Sequence, residues 1–173
     1  TLDGTLFPYT TLFRSYYQGI VAEYLRANRS VFLNTECFIQ IESGSSPPKG
    51  TSWFCDIAAI NMREATAYLC EVTFSTTLDS LKKRFNAWDM NWSRVREALA
   101  QDCSIPLDWT VIPWAFIPED RISRFRQGIR YTNMPEPRIT ALEAVVPWKY
   151  ASWNRTIDDM DEIKIIEQAQ VQE

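Results

Sequence analysis

WFCDIAAIN, from Trp53 to Asn61, and AYLCEVTFS, from Ala67 to Ser75, decide the reading of this chain. Each is a short apolar run bounded by polar residues, the pattern of a strand. The polar residues Asn61 to Glu64 between them suit a tight reversal, so the two runs are expected to form a hairpin. Each strand carries one acid, Asp56 and Glu71, with fourteen residues between them. By strand alternation Asp56 shares a face with Phe54, Ala58 and Ile60, and Glu71 with Leu69 and Thr73. An acid facing solvent would be ordinary. An acid on an apolar face is costly unless a partner or a cation compensates it. Two carboxylates side by side offer hard oxygen ligands suited to Mg²⁺ or Mn²⁺, and such an ion can activate water and neutralise phosphate charge.

Outward from this hairpin, YYQGIVAEYLRANR sets Tyr17, Ile20, Val21, Tyr24 and Leu25 at helical spacing, giving a helix from Tyr16 to about Asn28. VFLNTECFIQIES alternates Val31, Leu33, Cys37, Ile39 and Ile41 against Phe32, Asn34, Glu36, Phe38 and Gln40, a long strand. GSSPPKG, Gly44 to Gly50, is a turn full of breakers. Beyond the hairpin, a helical run from Thr77 to about Gln101 aligns Leu78, Leu81, Phe85, Trp88, Trp92, Val95 and Leu99 on one broad face. DWTVIPWAFIP is continuously apolar, as in a strand buried on both faces, and a helix from about Glu119 to Gly128 carries Ile122, Phe125 and, just beyond, Ile129. Pro135 to Val146 gives no firm pattern, and the tail from Asp158 onward reads as a charged helix. The expectation is an α/β fold, ordered αβββαβα, with a central mixed sheet of about four strands flanked by helices.

The chain has 173 residues, 46% of them hydrophobic, enough for one domain with a sizeable core. Seven Trp, seven Tyr and nine Phe are mostly core material by this reading. The net charge of −4 speaks against an extended basic grip on nucleic acid, while leaving room for a local basic cleft. Arg121, Arg124, Arg126 and Arg130 form the densest basic stretch, flanked by Glu119, Asp120 and Glu136. There is no histidine, so no Ser-His-Asp or Cys-His arrangement can be built, and any general base is a carboxylate, a lysine or water held by a metal. Cys37, Cys55, Cys70 and Cys103 contain no CxxC pair, which disfavours zinc. They read as small buried hydrophobes of a cytoplasmic protein, with a Cys55–Cys70 disulfide conceivable if their strands pair. No apolar run reaches the roughly 20 residues of a membrane span.

TLFPYTTLFRS, residues 5–15, resembles the conceptual translation of a sequencing adaptor. Residues 1–15 are accordingly read as a non-native segment, 16–130 as the α/β domain and 131–173 as a C-terminal extension. No leader peptide is read from such a segment, and the lack of an initiator Met agrees with a fragment.

The order helix, three strands, helix, strand, helix, with acids on the second and third strands, resembles the PD-(D/E)xK, restriction-endonuclease-like nuclease superfamily from Tyr16 to about Gly128. The resemblance implies that Asp56 and Glu71 hold a metal, Mg²⁺ or Mn²⁺, with Glu23 of the first helix joining them. It implies a lysine two residues after the glutamate, where this chain has Thr73. Lys82 or Lys83, on the following helix, is the expected replacement, although a charge run on a helix is usually a solvated face. The expected function is metal-dependent cleavage of nucleic-acid phosphodiesters, with DNA the expected partner, a homodimer open, and no membrane. The alternative is a catalytically inactive nuclease-fold protein that binds nucleic acid or a protein. A lysine converging on the two carboxylates would favour the enzyme. Carboxylates far apart, or paired to arginine, would favour the alternative.

Overall fold

The computed structural model describes residues 9–42 and 52–145. The expected turn at Gly44 to Gly50 and the expected helix from Asp158 lie outside the described residues. The chain runs α1 (Tyr9–Arg26), β1 (Val31–Gln40), β2 (Ser52–Asn61), β3 (Thr66–Val72), α2 (Asp79–Met90), α3 (Trp92–Cys103), β4 (Thr110–Ile117), a 3-10 turn (Glu119–Arg121), α4 (Ile122–Gly128) and β5 (Arg138–Ala141). The five strands lie in sequence order across one sheet. β1, β2 and β3 pair antiparallel, and β4 and β5 join in parallel. The fold is therefore α/β, with a mixed five-stranded sheet flanked by helices. β5 lies in the stretch that gave no firm pattern, and α1 begins inside the adaptor-like segment.

Each face of the sheet has its own core. On one, Val21, Ala22 and Leu25 of α1 pack over Ile57, Tyr68, Cys70, Val72, Trp114 and Phe116. On the other, Leu81, Phe85, Trp88, Val95, Leu99 and Phe125 from α2, α3 and α4 pack over Leu69, Val111, Ala115 and Ile117. β4 is thus covered on both sides, as its unbroken apolar run requires. Trp88 and Trp92 lie in the core, 0% and 7% exposed. The single long helix expected from Thr77 is two helices. The apolar stripe continues through the break, but at Asn91 the backbone leaves helical geometry (φ −118, ψ 22) while its side-chain amide donates to the Ala87 carbonyl at 2.9 Å. A back-bonding Asn of this kind offers the backbone an alternative to the helical ladder.

The β2–β3 reversal is fixed by Asn61, whose Oδ1 accepts the amides of Arg63 (3.1 Å) and Glu64 (3.3 Å). β1 and β2 then depart from simple alternation. Cys55 and Ala58 belong to the α2–α3 core and Ile57 and Ala59 to the α1 core, so the face assignment slips by one residue at Asp56. On β1 it slips in the same place: Leu33 packs on the α1 side, Cys37 and Ile39 on the other, and between them Glu36 has φ 55. The registered pairs pass from Thr35↔Ile57 to Cys37↔Cys55 across this kink. Local distortions of a ladder re-aim side chains, and here the side chain at the kink is Asp56.

Candidate functional site

β2 and β3 are paired from Asn61↔Thr66 to Ile57↔Cys70, and then separate. Asp56 stands at the point of separation. The Val72 amide points toward β2, because its neighbour Thr73 donates to Phe116 of β4. With no β2 carbonyl registered against it, Val72 N–H donates instead to Asp56 Oδ2 at 2.8 Å. One carboxylate oxygen thus continues the ladder.

Glu71 follows Ala67 and Leu69 onto the α2–α3 face, where α2 begins. Leu78, the residue that starts this helix, has φ 57. A left-handed non-glycine residue costs on the order of 1–2 kcal/mol and persists only where its surroundings impose it. Those surroundings are visible. Arg121 Nη1 donates to the carbonyls of Phe74 (2.6 Å) and Ser75 (2.9 Å), and Arg124 donates to Thr76 (3.4 Å). The Phe74 ring stacks on Tyr17 with centroids 5.1 Å apart, and the Arg121 guanidinium lies 5.1 Å over the same ring. This part of the arginine-rich stretch clamps the loop from Thr73 to Thr77, while Arg126 and Arg130 are exposed.

The clamp delivers α2 with Arg84 aimed at the strands. Arg84 Nη1 donates to Glu71 Oε2 at 2.5 Å and to the Phe54 carbonyl at 2.9 Å. Burial works to lower the arginine's pKa, but attraction to Glu71, the hydrogen bond to it and the Asp56 charge together leave it raised. Asp56, Glu71, Val72, Thr73, Ser80, Leu81 and Arg84 line one cavity of about 130 Å³. Asp56 is 2% exposed and Glu71 4%. Burial, and next the Glu71 charge, push the thiols of Cys55 and Cys70 well above the ordinary thiol range, so neither is a ready nucleophile. Cys55 Sγ donates to the Ile57 and Cys70 carbonyls, and Cys55 and Cys70 face opposite cores, an arrangement that keeps their sulfurs from bonding.

The structure brings together Asp56 and Glu71, with Thr73 at the cavity wall. It does not bring the other expected residues there. Glu23 lies on α1 at the opposite face and pairs with Arg26 at 2.6 Å on the surface. Lys82 runs across Gly128 at the end of α4, where an added Cβ would lie 2.7 Å from its Cδ. Lys83 is exposed. The converging cation is Arg84, the residue next to the two expected lysines on α2. At 100° per residue, Arg84 sits about 67° from the centre of the Leu81–Phe85–Trp88 stripe, Lys82 about 93° on the other flank and Lys83 near the back. Ser80, one turn before Arg84, shares its flank, so helical phase was the signal that separated the three cations.

A second cavity, of about 180 Å³, lies at the α2–α3 break, lined by Asp89, Met90, Asn91, Trp92, Ser93, Arg94 and Asn133. Asp89, 5% exposed, accepts the amides of Asn133 (2.7 Å) and Met134 (3.0 Å) on Oδ1, and Asn133 Nδ2 donates to its carbonyl at 3.1 Å.

Among the described residues no three His, Cys, Asp or Glu side chains gather to hold a metal ion. The Asp56–Glu71 cavity nevertheless has a donor set that fits Mg²⁺, which is commonly bound through one or two carboxylates while keeping several waters. Among the described residues no helix is long and apolar enough to cross a membrane. Compared with protein-family models, curated proteins and solved structures, the chain matches none.

Proposed function

We propose that this protein is a nuclease-like phosphodiesterase whose Asp56–Glu71 cavity takes Mg²⁺ or Mn²⁺, in a restriction-endonuclease-like arrangement of αβββαβα order extended by a helix break and a fifth strand. The observation that carries the reading is that two carboxylates, both almost wholly buried, line one open cavity from adjacent strands. Burying either costs several kcal/mol without compensation, and the Arg84 guanidinium on the cavity wall supplies part of that compensation to Glu71.

In this reading Asp56 and Glu71 hold the cation, which when bound would polarise a phosphoryl oxygen and ease deprotonation of water. The Val72 amide orients Asp56 through its Oδ2. Arg84 takes the part expected of Lys82 or Lys83. Its fixed, always-charged fork faces the region where negative charge grows on the phosphorus oxygens as water adds and the leaving oxygen departs. Thr73, at the position of the missing lysine, contributes shape and no charge. Glu23 has no part in this version of the site. The substrate class is a nucleic-acid phosphodiester, with DNA the first candidate.

A second reading has an observation of its own. Arg84 already pairs with Glu71, the arrangement that favours an inactive, nuclease-fold module binding nucleic acid or a protein. Calorimetric titration of the full chain with Mn²⁺, beside Asp56→Ala and Glu71→Ala, separates the two. The enzyme reading expects binding lost in both variants, together with cation-dependent cleavage of DNA or RNA by the parent chain. Cation binding with no cleavage of either leaves a metal-holding module. Absence of binding, with nucleic acid present as well, overturns the catalytic reading.

A further inference from the structure

Cys37 of β1 and Cys103, the last residue of α3, are 66 positions apart in sequence, yet their sulfurs lie 3.7 Å apart. Both are free thiols. The contact is too long for a disulfide, whose sulfurs are about 2.05 Å apart, and short enough that a small side-chain movement would close it. The two partners differ in access. Cys37 is 2% exposed, whereas Cys103 is half-buried at a helix terminus and followed by Ser104 in the left-handed conformation (φ 55). The hydrogen bond shared with Cys37 lowers the Cys103 thiol to about 7, against the opposing effects of burial and of the neighbouring Asp102. Cys37 moves the other way, raised first by that same hydrogen bond and then by burial. One sulfur is therefore accessible, with a second buried behind it, which is the arrangement of an attacking and a resolving thiol.

We propose that Cys37 and Cys103 form an oxidisable dithiol site that takes a small-molecule disulfide, such as oxidised glutathione, as its substrate and closes into a disulfide joining β1 to α3. The Cys103 thiolate attacks one sulfur of the small disulfide, forming a mixed disulfide and releasing one small thiolate, which takes up a proton. Cys37 then gives up its proton, and its sulfur attacks Cys103 Sγ, expelling the second small thiolate. Two protein thiols are oxidised by two electrons, the small disulfide is reduced to two thiols, and all protons are carried by the products. Cys55 and Cys70, both 0% exposed and facing opposite cores, stay outside the exchange. The inference is independent of the nuclease reading.

The test is incubation of the full chain with oxidised glutathione, alkylation of remaining thiols under denaturing conditions, and peptide mapping by mass spectrometry. The expected result is one reductant-sensitive cross-link between the peptides of Cys37 and Cys103, with Cys55 and Cys70 alkylated. Cys37→Ser is expected to stop at a stable glutathione adduct on Cys103, and Cys103→Ser to give neither adduct nor cross-link. Before oxidation, Cys103 of the native chain is expected to react with iodoacetamide at least about tenfold faster than Cys55 and Cys70. Four alkylated cysteines, a cross-link between any other pair, or a lasting adduct on Cys103 in the parent chain would overturn the proposal.

Discussion

The molecule buries carboxylates in two cavities and treats them differently. At the α2–α3 break, Asp89 receives two backbone amides from Asn133 and Met134, and its own carbonyl receives the Asn133 side chain. It pins the segment that leads into β5, much as a cap satisfies the end of a helix. In the β2–β3–α2 cavity, Asp56 receives the Val72 amide, Glu71 receives the Arg84 guanidinium, and the two acids share one small space. An acid answered by amides of fixed geometry holds the fold together. Two acids on adjacent strands that share one cavity bring carboxylate oxygens from separate elements to a common space. The kind of group that answers a buried acid, more than its burial, separates structure from candidate chemistry.

The widest separation between the two cavities is expected in stability. Asp89→Ala leaves two buried amides without their acceptor, and chemical denaturation should record a loss of about 3 kcal/mol. Mn²⁺ affinity measured on the folded fraction should be unchanged, whereas a parallel loss of binding would erase the distinction drawn here. Asp56 offers a finer contrast. Asp56→Asn keeps an oxygen for the Val72 amide, so its stability cost should be under about 1 kcal/mol. Removing its charge should still weaken Mn²⁺ binding by at least about tenfold, because ligand charge sets affinity at an oxygen site. If binding survives in Asp56→Asn, the carboxylate is there only to replace a missing ladder bond. The smallest effect is expected at Lys83→Ala, within about 0.5 kcal/mol in stability and about twofold in any cleavage rate, since that side chain faces solvent. A larger loss of cleavage there would return the role of cation from Arg84 to the lysines.

The hairpin, the doubly buried β4 and the apolar stripe of α2 and α3 were legible because hydrophobic period reports burial directly. The closeness of Asp56 and Glu71 was legible for the same reason, given a tight turn at Asn61. The rest depends on geometry that period does not carry. Alternation along β1 and β2 assigns one face to Val31, Leu33 and Cys37 together, and the left-handed Glu36 sends them to two. The stripe from Leu81 to Leu99 continues across Asn91 at spacings of three and four, so composition gave no sign that the helix breaks there. β5 has only four residues, all intermediate in burial, too short and too mixed to stand out. Arg84 was hidden by its two lysine neighbours until the three were separated by helical phase. Cys37 and Cys103 meet through tertiary packing, and no local pattern connects them.

Every described residue lining the β2–β3–α2 cavity falls between Asp56 and Arg84. Bringing these residues together takes one hairpin and the helix that follows it, with Arg121 and Arg124 fixing the loop between them, and short closures are both less costly in chain entropy and faster than the long-range pairing that adds β4 and β5. The lining is in this sense a single inheritable unit. Insertions or losses elsewhere in the chain would change how firmly it is supported while leaving these residues intact.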